Sequence, residues 1–312
     1  MFHNIYERDI SDGSGSEGSS EVMAICVKYV VVTPVRDEER YIEHTLRSIL
    51  SQTVRPAEWV IVNDGSTDKT GEIIERYAAR HPWIKIVNRE NRGFRKAGGG
   101  VMEAFYDGYG EITTPDWQYV VKLDGDLSFE SGYFEECFRI FSGDPRLGIG
   151  GGSIYNLEDG VPVQERSPLF HVRGATKIYR RECWEQIGGL KVLTGWDTID
   201  ELKANMIGWN TKTFSELRLI QHKATGSADG DWKNYVKNGL ANYITGYLPA
   251  FMILKCIKRL GEKPYFLVSA GLFWGFLKGY LENFPQVDDK ELIRYVRNQQ
   301  WNRLFFRKSL WT

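Results

Sequence analysis

Four short apolar runs set the strongest constraint on this chain. They are Tyr29-Val30-Val31-Val32, Trp59-Val60-Ile61-Val62, Ile84-Lys85-Ile86-Val87 and Tyr119-Val120-Val121-Lys122-Leu123. Runs this short and this rich in β-branched residues predict buried strands. Between them the period changes: Tyr41, Ile42, Thr45, Leu46, Ile49 and Leu50, then Ile73, Ile74, Tyr77 and Ala78, recur at three- and four-residue spacing and predict amphipathic helices. A Gly-rich segment from Ala97 passes into a third helix near Tyr109. Strands alternating with helices imply βαβ units, an α/β fold and a mostly parallel sheet flanked by helices. Ligands of such sheets collect at the carboxyl ends of the strands. Those ends carry Thr33 to Glu39, Asn63 to Asp68, and Asp124 to Asp126. Three acidic strand ends on one edge repel each other unless a cation or ligand sits among them.

The later sequence is less regular. Gly148 to Ser153 reads as a strand whose backbone is closely approached, and Phe170 to Tyr179 as another strand. Arg181 to Ile187 reads as a helix capped by Gly188-Gly189, Thr198 to Ile207 as a helix ending at Gly208, and Thr211 to Leu219 as a strand. After Asp231 come a long apolar helical face up to Pro249, a stripe of Lys255, Lys258 and Arg259, a second apolar block from Tyr265 to Leu277, and a charged helix from Asp288 to Arg303. At the other end, the Ser/Gly-rich stretch from Ser11 to Ser20 has nothing to bury and reads as flexible. The expected organisation is a flexible segment (1–28), an α/β domain (29–226) and a helical extension (227–312).

Charge and cysteine usage exclude some classes. Forty basic residues against 41 acidic ones leave a net charge of -1, without the basic excess of a nucleic-acid binder, so no nucleic-acid partner is expected. The four cysteines, Cys26, Cys137, Cys183 and Cys256, are widely spaced and form no CxxC pair. They read as reduced thiols of a cytoplasmic protein rather than a zinc ribbon or disulfide framework. Met1 to Ile10 contains Glu7, Arg8 and Asp9, which is no secretory h-region.

Asp124-Gly125-Asp126 places two carboxylates at a turn after a buried strand, where they can hold one hard divalent cation and leave positions open for phosphate oxygens. A surface turn would look the same. Asn63-Asp64-Gly65-Ser66-Thr67-Asp68 predicts a helix cap by Ser66 or Asp68, and leaves Asp64 as an acceptor for a base or ribose. Thr33-Pro34 through Glu39 reads as a strand exit with acids favourable to a helix start. Gly98-Gly99-Gly100 follows Lys96 rather than preceding it, so the P-loop order is absent, as is GxGxxG at the first strand.

In this order and spacing the elements resemble the GT-A (Rossmann-like) fold of family 2 glycosyltransferases. They are Thr33-Pro34 with Asp37-Glu38-Glu39, Asp64-Gly65-Ser66-Thr67-Asp68, Asn91-Arg92-Gly93 with Lys96-Ala97, and Asp124-Gly125-Asp126. The resemblance covers about residues 29 to 226. It implies a metal-dependent transferase moving a sugar from a nucleoside diphosphate donor, a UDP- or GDP-sugar, to a hydroxyl acceptor with inversion. It implies that Thr33, Pro34, Glu38 and Asp64 line the base and ribose. Lys96, with Arg92 and Arg95 near, meets diphosphate charge; Asp124 and Gly125 face the ribose or sugar. It also implies that Asp126 binds Mg²⁺ or Mn²⁺, with His222 as a further ligand, and Lys223 and Thr225 to Ser227 are expected to form a loop over the diphosphate. Alignment on Gly208 puts Asp197 at the general-base position, with Asp200 as the alternative; Trp196 stands where the family has Glu, either as a sugar-stacking wall or as core.

Two rival functions remain at this stage: a sugar nucleotidyltransferase, whose Gly-rich signature is missing after the first strand, and a catalytically silent sugar-nucleotide-binding scaffold, against which the intact DxD argues. The extension also carries two readings. Asn238 to Leu254 and Pro264 to Leu277 lack charge but fall short of the roughly 20 apolar residues of a membrane span. Residues 232–280 therefore read either as helices packed on the catalytic domain or in a homodimer, or as a peripheral anchor at the inner membrane face. Polysaccharide and glycolipid biosynthesis both fit.

Overall fold

The computed structural model describes residues 27–93, 99–158, 160–165, 167–223, 230–261 and 264–311. In chain order the elements are β1 (Tyr29–Val35), α1 (Ile42–Leu50), β2 (Glu58–Asn63), α2 (Thr70–Ala78), β3 (Ile84–Asn88), α3 (Gly100–Gly110), β4 (Tyr119–Leu123), β5 (Leu127–Phe129), α4 (Tyr133–Gly143), β6 (Leu147–Glu158), β7 (Val161–Gln164), β8 (Thr176–Arg180), α5 (Arg181–Ile187), α6 (Trp196–Met206) and β9 (Asn210–Gln221). Four helices follow: α7 (Asp231–Ile244), α8 (Pro249–Lys258), α9 (Leu267–Leu281) and α10 (Lys290–Leu304).

One nine-stranded sheet runs in the order β3-β2-β1-β4-β8-β6-β9-β5, with β7 on β6. Strands β3, β2, β1 and β4 are parallel, as the alternating pattern requires, and β6 and β9 are parallel too. Strands β8, β5 and β7 enter antiparallel. Period-two alternation splits the core. Tyr29, Val31 and Ile61 point into one cluster with Ile42, Leu46 and Ile49 of α1 and Phe134, Phe138 and Phe141 of α4. Val30, Val32, Val60 and Val62 point into the other, with Met102 and Phe105 of α3 and Trp184 of α5. Cys137, Cys183 and Cys256 are buried free thiols.

One expected strand is shorter than its sequence suggests. Only Thr176–Arg180 of the run from Phe170 to Tyr179 is extended in the sheet. Ahead of it, side chains replace the ladder: the Thr211 and Thr213 hydroxyls donate to the carbonyls of Phe170 and His171, at 2.6 Å each, and the Val172 N–H donates to Glu201 at 2.6 Å. The backbone groups of the segment are satisfied there without strand pairing.

The last four helices form a third cluster, which includes Ile199 and Leu202 of α6. Helices α7 and α9 meet backbone to backbone. A Cβ on Gly275 would lie 1.9 Å from the Val236 carbonyl oxygen, and one on Gly239 would lie 2.1 Å from that of Leu272. Glycine at both positions is what allows this approach. None of the helices among the described residues is long and apolar enough to cross a membrane.

Candidate active site

The parallel register of β1 and β2 sets Val35 level with Asn63, so the loops after both strands leave from one edge. They are laced together. The Asp37 carboxylate accepts from Thr67 N (2.8 Å) while Asp37 N donates to Ser66 Oγ (3.1 Å). Glu39 N donates to Asp68 (3.0 Å), Lys69 N donates to Glu39 (3.0 Å), and Glu38 N donates to Thr70 Oγ1 (2.7 Å). Asp68 also accepts from Thr70 N at 2.9 Å. Burial would raise the Asp68 carboxyl, but its bonds to Thr70 and the Glu39 amide hold it below the ordinary range. Asp37, Glu39 and Asp68 are thus spent on holding the two loops, and Glu38 and Asp64 remain as the acids with work to do elsewhere.

Asp64 is buried and takes two arginines: Arg89 Nη1 on one oxygen and Arg92 Nη2 on the other, both at 2.6 Å. Arg89 also pairs with Asp107 and Arg92 with Glu103. The approach depends on Gly65, whose φ is +68° and whose Cβ, if present, would lie 2.5 Å from Asn91 Cα. That contact brings the Asn91-Arg92-Gly93 segment to the end of β2. Arg89 has no motif around it and was not foreseen; Arg92, expected near the donor, is paired with Asp64. Lys96, Arg95 and the segment Thr225 to Ser227 lie outside the described residues.

The second acidic group lies at the end of β4. Val35 touches it directly, since a Cβ on Gly125 would meet Val35 Cγ1 at 2.5 Å. Val35 also accepts the Asp64 N–H at 2.8 Å, so the exit of β1 lies between the two acidic loops. Strand β5 pairs Leu127 with Gln221 of β9, and His222 N donates to the Asp126 carbonyl at 2.9 Å. This ladder sets His222 next to Asp126, 96 positions apart in sequence. Asp126 is buried. One carboxylate oxygen accepts from Gln221 Nε2 at 3.1 Å, and the other has no partner among the described residues. Burial, then the Asp124 and Glu38 carboxylates, raise its carboxyl to about 7 against the Gln221 bond. The remaining acid, Glu38, pairs with Lys223 at 2.6 Å, which straps the exit of β9 to that of β1.

An orphaned, desolvated carboxylate oxygen facing two further acids is the chemistry that a hard cation satisfies. His222 is held as a neutral imidazole by burial and by His44, which stacks on it at 3.9 Å between centroids. Its Nε2 is engaged with Ser128 Oγ at 2.8 Å. Asp124 forms an ion pair with Lys122, a lysine buried in the middle of β4. Among the described residues no three His, Cys, Asp or Glu side chains stand arranged to hold a metal by themselves. What the described residues leave open to a cation is the one unpartnered Asp126 oxygen, with the His222 ring engaged on Ser128.

The third group is at the start of α6. Gly195, at φ +88°, is its N-cap, and Asp197 is in the first turn rather than capping it. Asp197 is partly buried. Burial would raise its carboxyl, but His171, Lys177, Arg173 and Lys122 together hold it below the ordinary range, so it is a carboxylate at neutral pH. Asp200, the other candidate base, is closed off. Both its oxygens lie 2.9 Å from Lys177 Nζ, one also accepts from Tyr179 OH, and the other from Glu201 N at 2.7 Å. Glu201 is buried in the same network, on Lys177 at 2.8 Å and on His171 at 2.8 Å. Trp196 belongs to the core: it is buried, with Lys122 5.4 Å and Lys177 5.6 Å from its ring centroid. Lys122 occupies an otherwise apolar strand, whereas Lys177 stands among Thr176, Ile178, Tyr179 and Arg180. The former was the available signal, although sequence alone names no partner for either.

Comparison with known proteins bears on the family and the fold. Residues 30–190 match the model of Glycosyl transferase family 2. Glycosyltransferase GlyA of Streptococcus pneumoniae is 29% identical over 240 residues, 75% of this chain and 32% of the relative. The uncharacterized glycosyltransferase EpsJ of Bacillus subtilis is 33% identical over 105 residues, 34% of this chain and 28% of the relative. The chain thus spans about a third or less of these curated relatives. Among solved structures, a mannosyltransferase of Pyrobaculum calidifontis in complex with GDP-Man and Mn²⁺ superimposes with a TM-score of 0.56 at 18% identity, covering 82% of this chain and 87% of that one. Staphylococcus aureus TarS 1-349 in complex with UDP-GlcNAc gives 0.51 at 17% identity, over 89% of this chain and 79% of that one. With a family match over more than half its length and the GT-A fold around it, this chain belongs to glycosyl transferase family 2.

Proposed function

We propose that the chain transfers a sugar from a nucleoside diphosphate donor, a UDP- or GDP-sugar, to a hydroxyl acceptor with inversion at the sugar carbon. The observation that carries this is the unpartnered, buried oxygen of Asp126 beside Asp124 and Glu38. Asp126 and His222 would hold Mg²⁺ or Mn²⁺, with His222 leaving Ser128. A divalent cation there supplies positive charge to a diphosphate leaving group. Thr33, Pro34, Glu38 and Asp64 form the base and ribose side, Asp64 fixed there by Arg89 and Arg92. Asp124 and Gly125 face the sugar, with Lys96 toward the diphosphate.

Asp197 is the base. It takes the proton of the acceptor hydroxyl while that oxygen bonds to the anomeric carbon, and the bond from this carbon to the diphosphate oxygen breaks on the opposite face. The nucleoside diphosphate leaves with that electron pair. Asp200 does not serve, because its oxygens are fully engaged with Lys177, Tyr179 and the Glu201 amide. The named relatives are glycosyltransferases, and two fold neighbours hold GDP-Man with Mn²⁺ and UDP-GlcNAc, which supports donors of this class. Residues 232–280 are the part that meets a membrane or a second copy.

A thermal-shift screen of UDP-, GDP- and dTDP-sugars with and without Mn²⁺ tests the reading. One nucleotide class should stabilise the protein in a Mn²⁺-dependent manner, and Asp126→Ala should lose both that shift and transfer. Full turnover by Asp126→Ala would remove the metal assignment.

A further inference from the structure

Of the 20 large apolar side chains that lie exposed among the described residues, 15 fall between Trp232 and Phe306. They are ordered. On α8 and its last turn, Ile253, Leu254, Ile257 and Leu260 form one exposed stripe, while Met252 and Cys256 face inward. On α9, Leu267, Phe273, Trp274 and Leu281 face out, while Val268, Leu272 and Phe276 face the glycine seam and its core. The two helices are tied by Ser269 Oγ donating to the Cys256 carbonyl at 2.7 Å. Two adjacent helices each burying one face and exposing an apolar one are unusual for a surface in contact with water alone.

Charge separates the candidate occupants. Residues 231–312 hold 13 Lys and Arg against 6 Asp and Glu, a surplus of seven positive charges. Residues 1–230 hold 27 against 35, a surplus of eight negative ones. A second copy bound through the same face by two-fold symmetry would set one positive surface on another. An anionic bilayer has no such penalty: it attracts the surplus and takes apolar side chains at its acyl boundary, with Trp and Tyr rings at headgroup level. Helix α9, with 15 residues, is about 22 Å long against a hydrocarbon core of about 30 Å, so the face lies on a bilayer rather than crossing it.

We propose that the exposed apolar face of α8 and α9, with the basic residues Lys255, Lys258 and Arg259 beside it, docks on an anionic phospholipid surface. Binding there needs neither donor nor acceptor, so it is read independently of transfer. The test is flotation of the full chain with vesicles of equimolar phosphatidylcholine and phosphatidylglycerol, and with phosphatidylcholine alone. The chain should float with the mixed vesicles at least about tenfold better than with the neutral ones, and raised salt should weaken this. Ile257→Asp should lower partition at least about tenfold, and Lys258→Ala about fivefold. Leu254→Ser, at a position with little packing to lose, gives the same reading if Ile257→Asp fails to fold. Equal flotation with both vesicles, none with either, or wild-type partition by the folded variants would overturn the proposal. So would a dimer in sedimentation that Ile257→Asp dissolves while vesicle binding is absent, which would assign the face to a second copy.

Discussion

The carboxyl edge of the sheet and the carboxy-terminal helices solve opposite problems. At the sheet edge, polar groups are buried and need partners. Asp64 has two arginines, Asp200 and Glu201 share Lys177, and Glu38 has Lys223. In the helices, apolar groups are exposed while the backbones beneath them touch through Gly239 and Gly275. The first region gets its specificity from charges placed by remote parts of the chain. The second gets its shape from missing side chains. Substitutions should therefore fail in different ways in the two regions.

The largest stability loss is expected at Lys177. Lys177→Met leaves Asp200 and Glu201 buried without their cation, which should cost about 3–5 kcal/mol in chemical denaturation. If the loss is under about 1 kcal/mol, the contrast between the regions does not rest on buried charge. Asp197→Asn touches the same helix but should leave the fold and donor binding intact while lowering turnover about 10²- to 10⁴-fold. Loss of donor affinity instead would move Asp197 to the donor side. Gly275→Ala probes the other region. Its methyl would lie on the Val236 carbonyl, so overpacking should cost about 1–3 kcal/mol, without changing the metal dependence of donor binding.

The smallest effect sharpens the contrast at a charge remote from the site. Glu58, at the start of β2, pairs with Lys85 at 2.6 Å and accepts from Thr114 N at 2.8 Å. Burial would raise its carboxyl, but Lys85, Thr114 and Thr113 hold it below 4.5. A depressed acid contributes stability above its unfolded value that is lost as pH falls through the folded one. The gap between wild type and Glu58→Gln should thus be about 1 kcal/mol at neutral pH and close as pH falls below about 4.5. A gap that widens on acidification would contradict the assignment.

Much of the sheet was legible because buried parallel strands leave uninterrupted apolar runs: all four early strands lie where Val30, Val60, Ile86 and Val120 predict them. The ends of α5 and α6 were legible through Gly188 and Gly208. Helix α4 was not assigned, although Phe134, Cys137, Phe138 and Phe141 keep helical spacing between Ser131-Gly132 and Gly143-Asp144. Among the acids, Asp68 was expected as a cap and Asp64 and Asp126 as site residues, but that Asp37 and Glu39 lace the two loops together was not legible. What each acid holds depends on partners brought by folding, such as Arg89 and Gln221, and spacing carries no trace of them. The same holds for Trp196, which could be wall or core until Lys122 and Lys177 were placed on its ring.

Lys122 reaches three ways at once: to the Asp124 carboxylate, to the Gly174 carbonyl at 2.6 Å, and over the indole of Trp196, the neighbour of Asp197. In the proposed reaction one ammonium would thereby be common to the donor and the acceptor sides. Kinetic dissection usually assigns a variant to one substrate or the other by which Michaelis constant moves. A change at Lys122 should shift both, and the two shifts should not be separable by saturating either substrate.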